Sequence, residues 1–275
     1  MKYKLLFLIT LLAASCSNET AENPDIGDSP LAIGEISTRT DGVTEWIWQE
    51  NDQLTVSANA LTAVYTRTAA GKWTSGSSTF TKETLGIVAA NGISLAFGTE
   101  GLTSTQTSAA TYRLADRLTG TGSLDFLTIN GTVEHQYIDL VITITEGDGW
   151  STGQFTQTLT AASLALNTSN SVSTTVVAYH PEAATFRAII PPANLPRGTK
   201  VSLGTLTMSS GSETPYFLQG KSALITYTNN STDGDLKGKR LNLSVKMDLM
   251  LSDISITGIT IEDFTYVDIP DEFNP

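Results

Sequence analysis

Leu241-Asn242-Leu243-Ser244-Val245-Lys246-Met247-Asp248-Leu249-Met250-Leu251 decides the fold class. Leu241, Leu243, Val245, Met247, Leu249 and Leu251 recur at every second position, with Asn242, Ser244, Lys246 and Asp248 between them. Successive side chains of a β-strand point to opposite faces, so this period of two commits one face of a long strand to a core.

The same texture fills the chain on both sides. Downstream, Ile254, Ile256, Ile259 and Ile261 supply a last apolar strand with a register change around Gly258, and the tail from Asp268 to Pro275 is acidic. Upstream, strands are expected at Leu159 to Leu166, Ser173 to Tyr179, Thr185 to Ile190, Val201 to Met208 and Pro215 to Tyr227. Pro191-Pro192 stops the third of these, because proline cannot donate to a ladder. Between Val133 and Thr145, Ile138, Leu140, Ile142 and Ile144 take one face while Tyr137, Asp139 and Thr143 take the other. Glu146-Gly147-Asp148-Gly149 then turns the chain, and a domain division is expected near Trp150.

The first half begins with Leu31 to Arg39, a short strand whose alternation slips near Gly34 and therefore reads as bulged or weakly specified. Thr44 to Gln49 follows, with Trp46 and Trp48 on one face, then strands at Leu54 to Val56 and Thr62 to Thr68 and a hairpin tip at Gly71-Lys72-Trp73. Ile87 to Phe97 is broken by Asn91-Gly92, and Thr99 to Ala110 reads as a loop. Many short strands, Gly and Ser turns and no helical period point to an all-β chain of two tandem antiparallel β-sandwich domains, 31–150 and 151–275.

The chain opens with Met1-Lys2-Tyr3-Lys4, an apolar run from Leu5 to Leu12, and Ala13-Ala14-Ser15-Cys16. The run is long enough for a signal h-region and too short to span a bilayer. Residues 1–15 thus read as a signal peptide ending at a bacterial-type lipobox, with Cys16 the lipidation site and 16–30 a polar tether. Cys16 is the only cysteine, so the body holds together without disulfides. The chain has 16 Lys and Arg against 28 Asp and Glu; loss of Lys2 and Lys4 with the signal leaves 14 against 28, about −14. Such a charge excludes nucleic acid as a natural partner, and no second apolar run reaches membrane-spanning length.

Candidate sites are few. Arg39 ends its strand in an exposed polar context and suits a trypsin-like protease. Trp46 and Trp48 are candidates for a glycan-stacking platform, although paired tryptophans on one strand face are more often core. His135 and His180 are the only histidines and fall in different expected domains. Gly-x-Ser-x-Gly and phosphate-loop motifs are missing, Gly120-Thr121-Gly122 lacks a dinucleotide fingerprint, and Asp233-Gly234-Asp235 falls short of a calcium loop. Neither an enzyme, a cofactor nor a metal is therefore expected; a glycan-binding surface lipoprotein is the alternative to a structural role.

The lipobox, the polar tether, the early strand ending in arginine, Trp48 with Asn51-Asp52, the Tyr65 to Trp73 hairpin, His135 before an alternating strand, and Leu236-Lys237-Gly238-Lys239 before the long strand together resemble the fimbrillin family of type V pilus proteins. The resemblance implies two transthyretin-like, Greek-key sandwiches exported as a lipoprotein and cut after an early arginine, here Arg39. It also implies head-to-tail strand exchange with other pilin subunits at the outer membrane, and adhesion to a host or bacterial surface ligand. Leu241 to Ile261, with the tail beyond it, is the expected source of the donated strand.

Overall fold

The computed structural model describes residues 29–38, 48–76, 80–85, 92–160, 162–167, 175–208, 216–230, 236–250 and 254–263. Strands β1 (Ala32–Thr38), β2 (Gln53–Ala58), β3 (Leu61–Arg67), β4 (Trp73–Ser75), β5 (Ile93–Phe97), β6 (Leu118–Asp125) and β7 (Thr128–His135) form one sheet in the order β1-β7-β6-β5-β2-β3-β4. The sheet curls until its two edges, β1 and β4, meet. Leu54, Val56, Tyr65, Leu95, Ile129 and Val133 are buried inside the curl.

Two short helices belong to this half, α1 (Lys82–Leu85) and α2 (Ala109–Leu114). Helix α2 rises from the loop expected at 99–110. Its start is a reciprocal cap: Thr111 N–H donates to Ser108 Oγ at 3.2 Å and Ser108 N–H donates to Thr111 Oγ1 at 3.0 Å.

The rest of the chain builds β8 (Ile138–Glu146), α3 (Gln154–Thr160), β9 (Ser163–Asn167), β10 (Thr175–Val177), β11 (Tyr179–Glu182), β12 (Thr185–Ile190), β13 (Lys200–Thr207), β14 (Ser222–Thr228), β15 (Lys239–Met247) and β16 (Ile254–Asp263). Sheets β10-β9-β13-β14 and β11-β12-β8-β15-β16 share one core. Leu140, Ile142, Phe186 and Leu243 enter it from the five-stranded sheet, and Leu164, Leu206 and Ile225 from the other. The fold is all-β, a sandwich following a curled sheet.

Two ladders depart from the antiparallel expectation: β1 runs parallel to β7, and β15 runs parallel to β8. Parallel neighbours need a long crossover between them. Here the intervening strands supply it, so nothing near β8 or β15 in sequence announces the pairing. Strand β8 pairs only with β12 and β15, which places 138–146 in a sheet with strands of the second half. The turn after Glu146 ends a strand there, and Trp150 lies within that half, packed against its core. Residues 154–160, where the start of a strand is expected at Leu159, instead form α3.

Candidate functional site

Strand β1 lies at the edge of its sheet and carries Leu31, Ile33 and Ile36 as neighbours or members that are buried in the core. Full burial of such side chains contributes on the order of 1.5–3 kcal/mol each. The ladder that holds β1 is less regular than its burial suggests. Its register on β7 shifts between Ile33 and Ile36, and there the Glu35 N–H donates to Asn130 Oδ1 at 2.9 Å. Gly34 occupies the shift because a Cβ would come within 2.2 Å of Asn130 Oδ1. The slip in the sequence is thus a bulge, on a parallel pairing that is weaker per residue than an antiparallel one.

Further bonds seat the strand. Leu31 N–H donates to Phe80 O at 3.2 Å and Ala32 N–H to Leu127 O at 2.9 Å. Tyr65 Oη–H donates to Leu31 O at 2.9 Å, and Trp48 Nε1–H donates to Ile36 O at 3.0 Å. Cys16, Arg39 and Trp46 lie outside the described residues; Arg39 directly follows Thr38, the last residue of β1. Trp48 is placed and half-buried. Its ring meets Trp73 and Phe97 edge-on at centroid distances of 5.2 and 5.6 Å, so its contacts are those of a core residue.

Helix α2 carries a polar cluster that the sequence did not advertise. Arg113 donates to both carboxylate oxygens of Asp52 at 2.6 Å, and Asp52 Oδ2 also accepts the Gln49 N–H at 2.7 Å. Next to it, Tyr112 Oη–H donates to Asp139 Oδ1 at 2.5 Å. The other oxygen of Asp139 accepts from Arg187 Nη2 and Arg240 Nε, each at 2.7 Å. Burial pushes the Asp139 carboxyl up, but Arg187, Arg240 and the Tyr112 hydroxyl outweigh it and hold the group below the usual carboxylate range. Alternation along β8 assigns Asp139 to a polar face; that face is covered here by α2, and Asp139 is fully buried.

The two histidines stay apart in role. His135 ends β7 with its Nδ1 2.5 Å from Asp116 Oδ2, a satisfied strand-end residue. His180 stacks on Phe186 at 4.1 Å, and burial pushes its pKa down. Among the described residues no group of three His, Cys, Asp or Glu is arranged to hold a metal.

At the other end of the chain, β15 is central, between β8 and β16, with Leu241, Leu243, Val245 and Met247 buried. Strand β16 is the edge. Its Ile259 faces the same side as Leu243 yet remains 51% exposed.

No protein-family model matches the sequence, and no curated protein matches it significantly. Solved structures similar to it include a "putative cell adhesion protein" from Bacteroides uniformis ATCC 8492, 14% identical, with a TM-score of 0.51 over 86% of this chain and 99% of that one. A second structure with the same description, from Bacteroides ovatus ATCC 8483, is 14% identical with a TM-score of 0.50 over 87% of this chain and 99% of that one. A fimbrial protein from the same Bacteroides ovatus strain is 10% identical, with a TM-score of 0.45 over 80% of this chain and 50% of that one. The chain has the all-β fold of the two adhesion structures along nearly their whole length.

Proposed function

We propose that this chain is a fimbrillin-type structural and adhesive subunit of a surface pilus, delivered as a lipoprotein through Cys16, processed after Arg39 and polymerised by strand exchange with other subunits. The observation that carries it is β1: an apolar edge strand on a bulged parallel ladder, followed at once by an arginine. A cut there removes the lipid, the tether and β1 together. It leaves an apolar groove and a row of unpaired backbone groups on β7, which a strand from another subunit can satisfy. Each such contact is head to tail and does not close, so a filament grows.

Of the expected donor region, β16 with the tail after it fits the role better than β15. Removing β15 would open the core of the second half, whereas β16 is an edge with an incompletely covered apolar face. The two halves divide, on this proposal, at Gln136 between β7 and β8. The role is structural and needs no catalysis; its partners are other pilin subunits, a trypsin-like protease and the surface the pilus adheres to. The cell-adhesion descriptions of the two similar structures support the assignment. Limited trypsin treatment of the purified chain, followed by electron microscopy, is the test. Filaments from wild type and none from Arg39→Ala are expected; a stable monomer from both overturns the proposal.

A further inference from the structure

We propose that α2 transmits the presence of β1 to the junction between the two halves, so that losing β1 loosens the junction and a replacement strand tightens it again. The inference rests on β1 being removable, as proposed above.

The contacts are continuous. Trp48 holds the Ile36 carbonyl of β1 through Nε1. From Trp48 two routes reach Arg113. One is the turn next to it, where the Gln49 N–H and the Arg113 guanidinium both bind Asp52. The other is the Phe97 ring, packed by Trp48 on one side and by the Arg113 guanidinium at 5.3 Å. Arg113 and Tyr112 are consecutive on a helix of six residues, too short to absorb a displacement of one without moving the other. Tyr112 is the part of α2 that grips the second half. It donates to Asp139, lies under the Arg187 guanidinium at 4.9 Å, and packs with Ala115, Tyr137 and Ile189 in a small apolar cluster.

A second grip does not pass through Trp48. The Gln106 side chain donates from Nε2 to Ile189 O at 2.8 Å and accepts the Ile189 N–H at Oε1 at 2.7 Å. With Gln106 holding and α2 released, the halves stay joined while one side of the junction slackens. Coupling of this kind is reciprocal: whatever β1 contributes to the Tyr112–Asp139 contact, that contact returns to the retention of β1.

Hydrogen exchange read by mass spectrometry on the full chain tests this, before and after limited trypsin cleavage and again with a synthetic peptide of residues 29–38 added. Loss of β1 is expected to speed exchange at 109–116 and 138–141 about tenfold, and the peptide to restore it, with β13 unchanged throughout as a control for folding. Asp52→Asn, which is close in shape but removes the negative charge that Arg113 pairs with and one of its two acceptor oxygens, is expected to exchange fast at 138–141 in the uncut chain, with no further rise on cleavage and with β13 again the control for folding. If the cut strand stays bound, Ile36→Asp, which expels β1 without a cut, gives the same comparison. Unchanged exchange at 138–141 after β1 has left overturns the inference. Electron microscopy of the same samples separates the two claims: filaments without altered exchange remove the coupling and leave the pilus assignment, and altered exchange without filaments does the reverse.

Discussion

Tyr65 and Leu31, 34 residues apart in sequence, are joined by one buried hydrogen bond of 2.9 Å from the phenol to the carbonyl. Tyr65 stands on β3, beside the β4 edge, and Leu31 leads into β1 at the opposite edge. The bond therefore closes the curl of the first sheet. Replacing the phenol leaves the Leu31 carbonyl buried without that donor, at a cost of about 1–3 kcal/mol. Tyr65→Phe is expected to lower the urea midpoint accordingly and to make β1 easier to displace after cleavage; an unchanged midpoint would show that the carbonyl is satisfied without Tyr65.

The same residue sets the alkaline limit. Burial pushes the Tyr65 phenol up to about 12 from 10.0, with the Ser75 hydroxyl partly offsetting it. The folded state thus keeps a proton that the unfolded chain releases. Its contribution is complete below pH 10 and declines as pH rises towards about 12. Urea midpoints at pH 9 and pH 11 should differ more in wild type than in Tyr65→Phe.

Asp139 sets the acid limit with the opposite sign. Its folded pKa is depressed, so the stability it supplies is present above the ordinary carboxylate value, about 4, and is lost as pH falls below that. Asp139→Asn takes the buried carboxylate from between Arg187 and Arg240, Arg240 keeping the exposed Glu262 at 3.9 Å, and should cost about 3–5 kcal/mol at neutral pH. It should also flatten the acid limb of the stability profile, as read by circular dichroism from pH 6 to pH 2.

The two C-terminal strands should respond very differently to truncation. Leu243→Ala, in the buried centre of β15, is expected to cost about 2–5 kcal/mol. Ile259→Ala, on the half-open edge, should cost under about 1 kcal/mol. With β16 as the donated strand, as proposed, Ile259→Asp should nevertheless block filament growth while leaving the chain folded. Filaments of normal length from that variant would move the donor role away from β16.

Gly34→Leu places a side chain where Asn130 Oδ1 stands. The Glu35 N–H loses its acceptor and β1 is pushed off the bulge. Shorter trypsin digestion times are expected to release the strand, measured as the appearance of the chain beginning at Thr40.

Strands with one buried face were legible because the information is local. Ile138 to Ile144 on β8 and Leu241 to Met247 on β15 alternate as written, and Gly34 marked a real bulge. Helix α2 was not legible as a helix, since six residues give less than two turns of period; the reciprocal Ser108 and Thr111 cap was its one signal. Asp139 read as lying on the polar face of its strand from alternation, because which polar face another element covers is a tertiary fact. Parallel partners about 100 residues away leave no local trace, so the neighbours of β8 had to come from the structure. Trp48 showed the limit of face assignment: its ring meets the core, while its indole nitrogen serves β1.

The parallel pairing of β8 with β15 also fixes an order in time. Arg240 reaches Asp139 across 101 positions, and among the described strands only β16 is made after β15. Until it arrives, Leu140, Ile142 and Ile144 have no neighbour on one side, and the Asp139 carboxylate has one guanidinium too few. Contacts so distant in sequence form slowly, so the second half stays uncommitted until β15 has been made, whereas the first sheet has all its strands by His135. The same arrangement is a check on completeness: a chain broken off before Met247 has no closed second core and remains open to proteolysis.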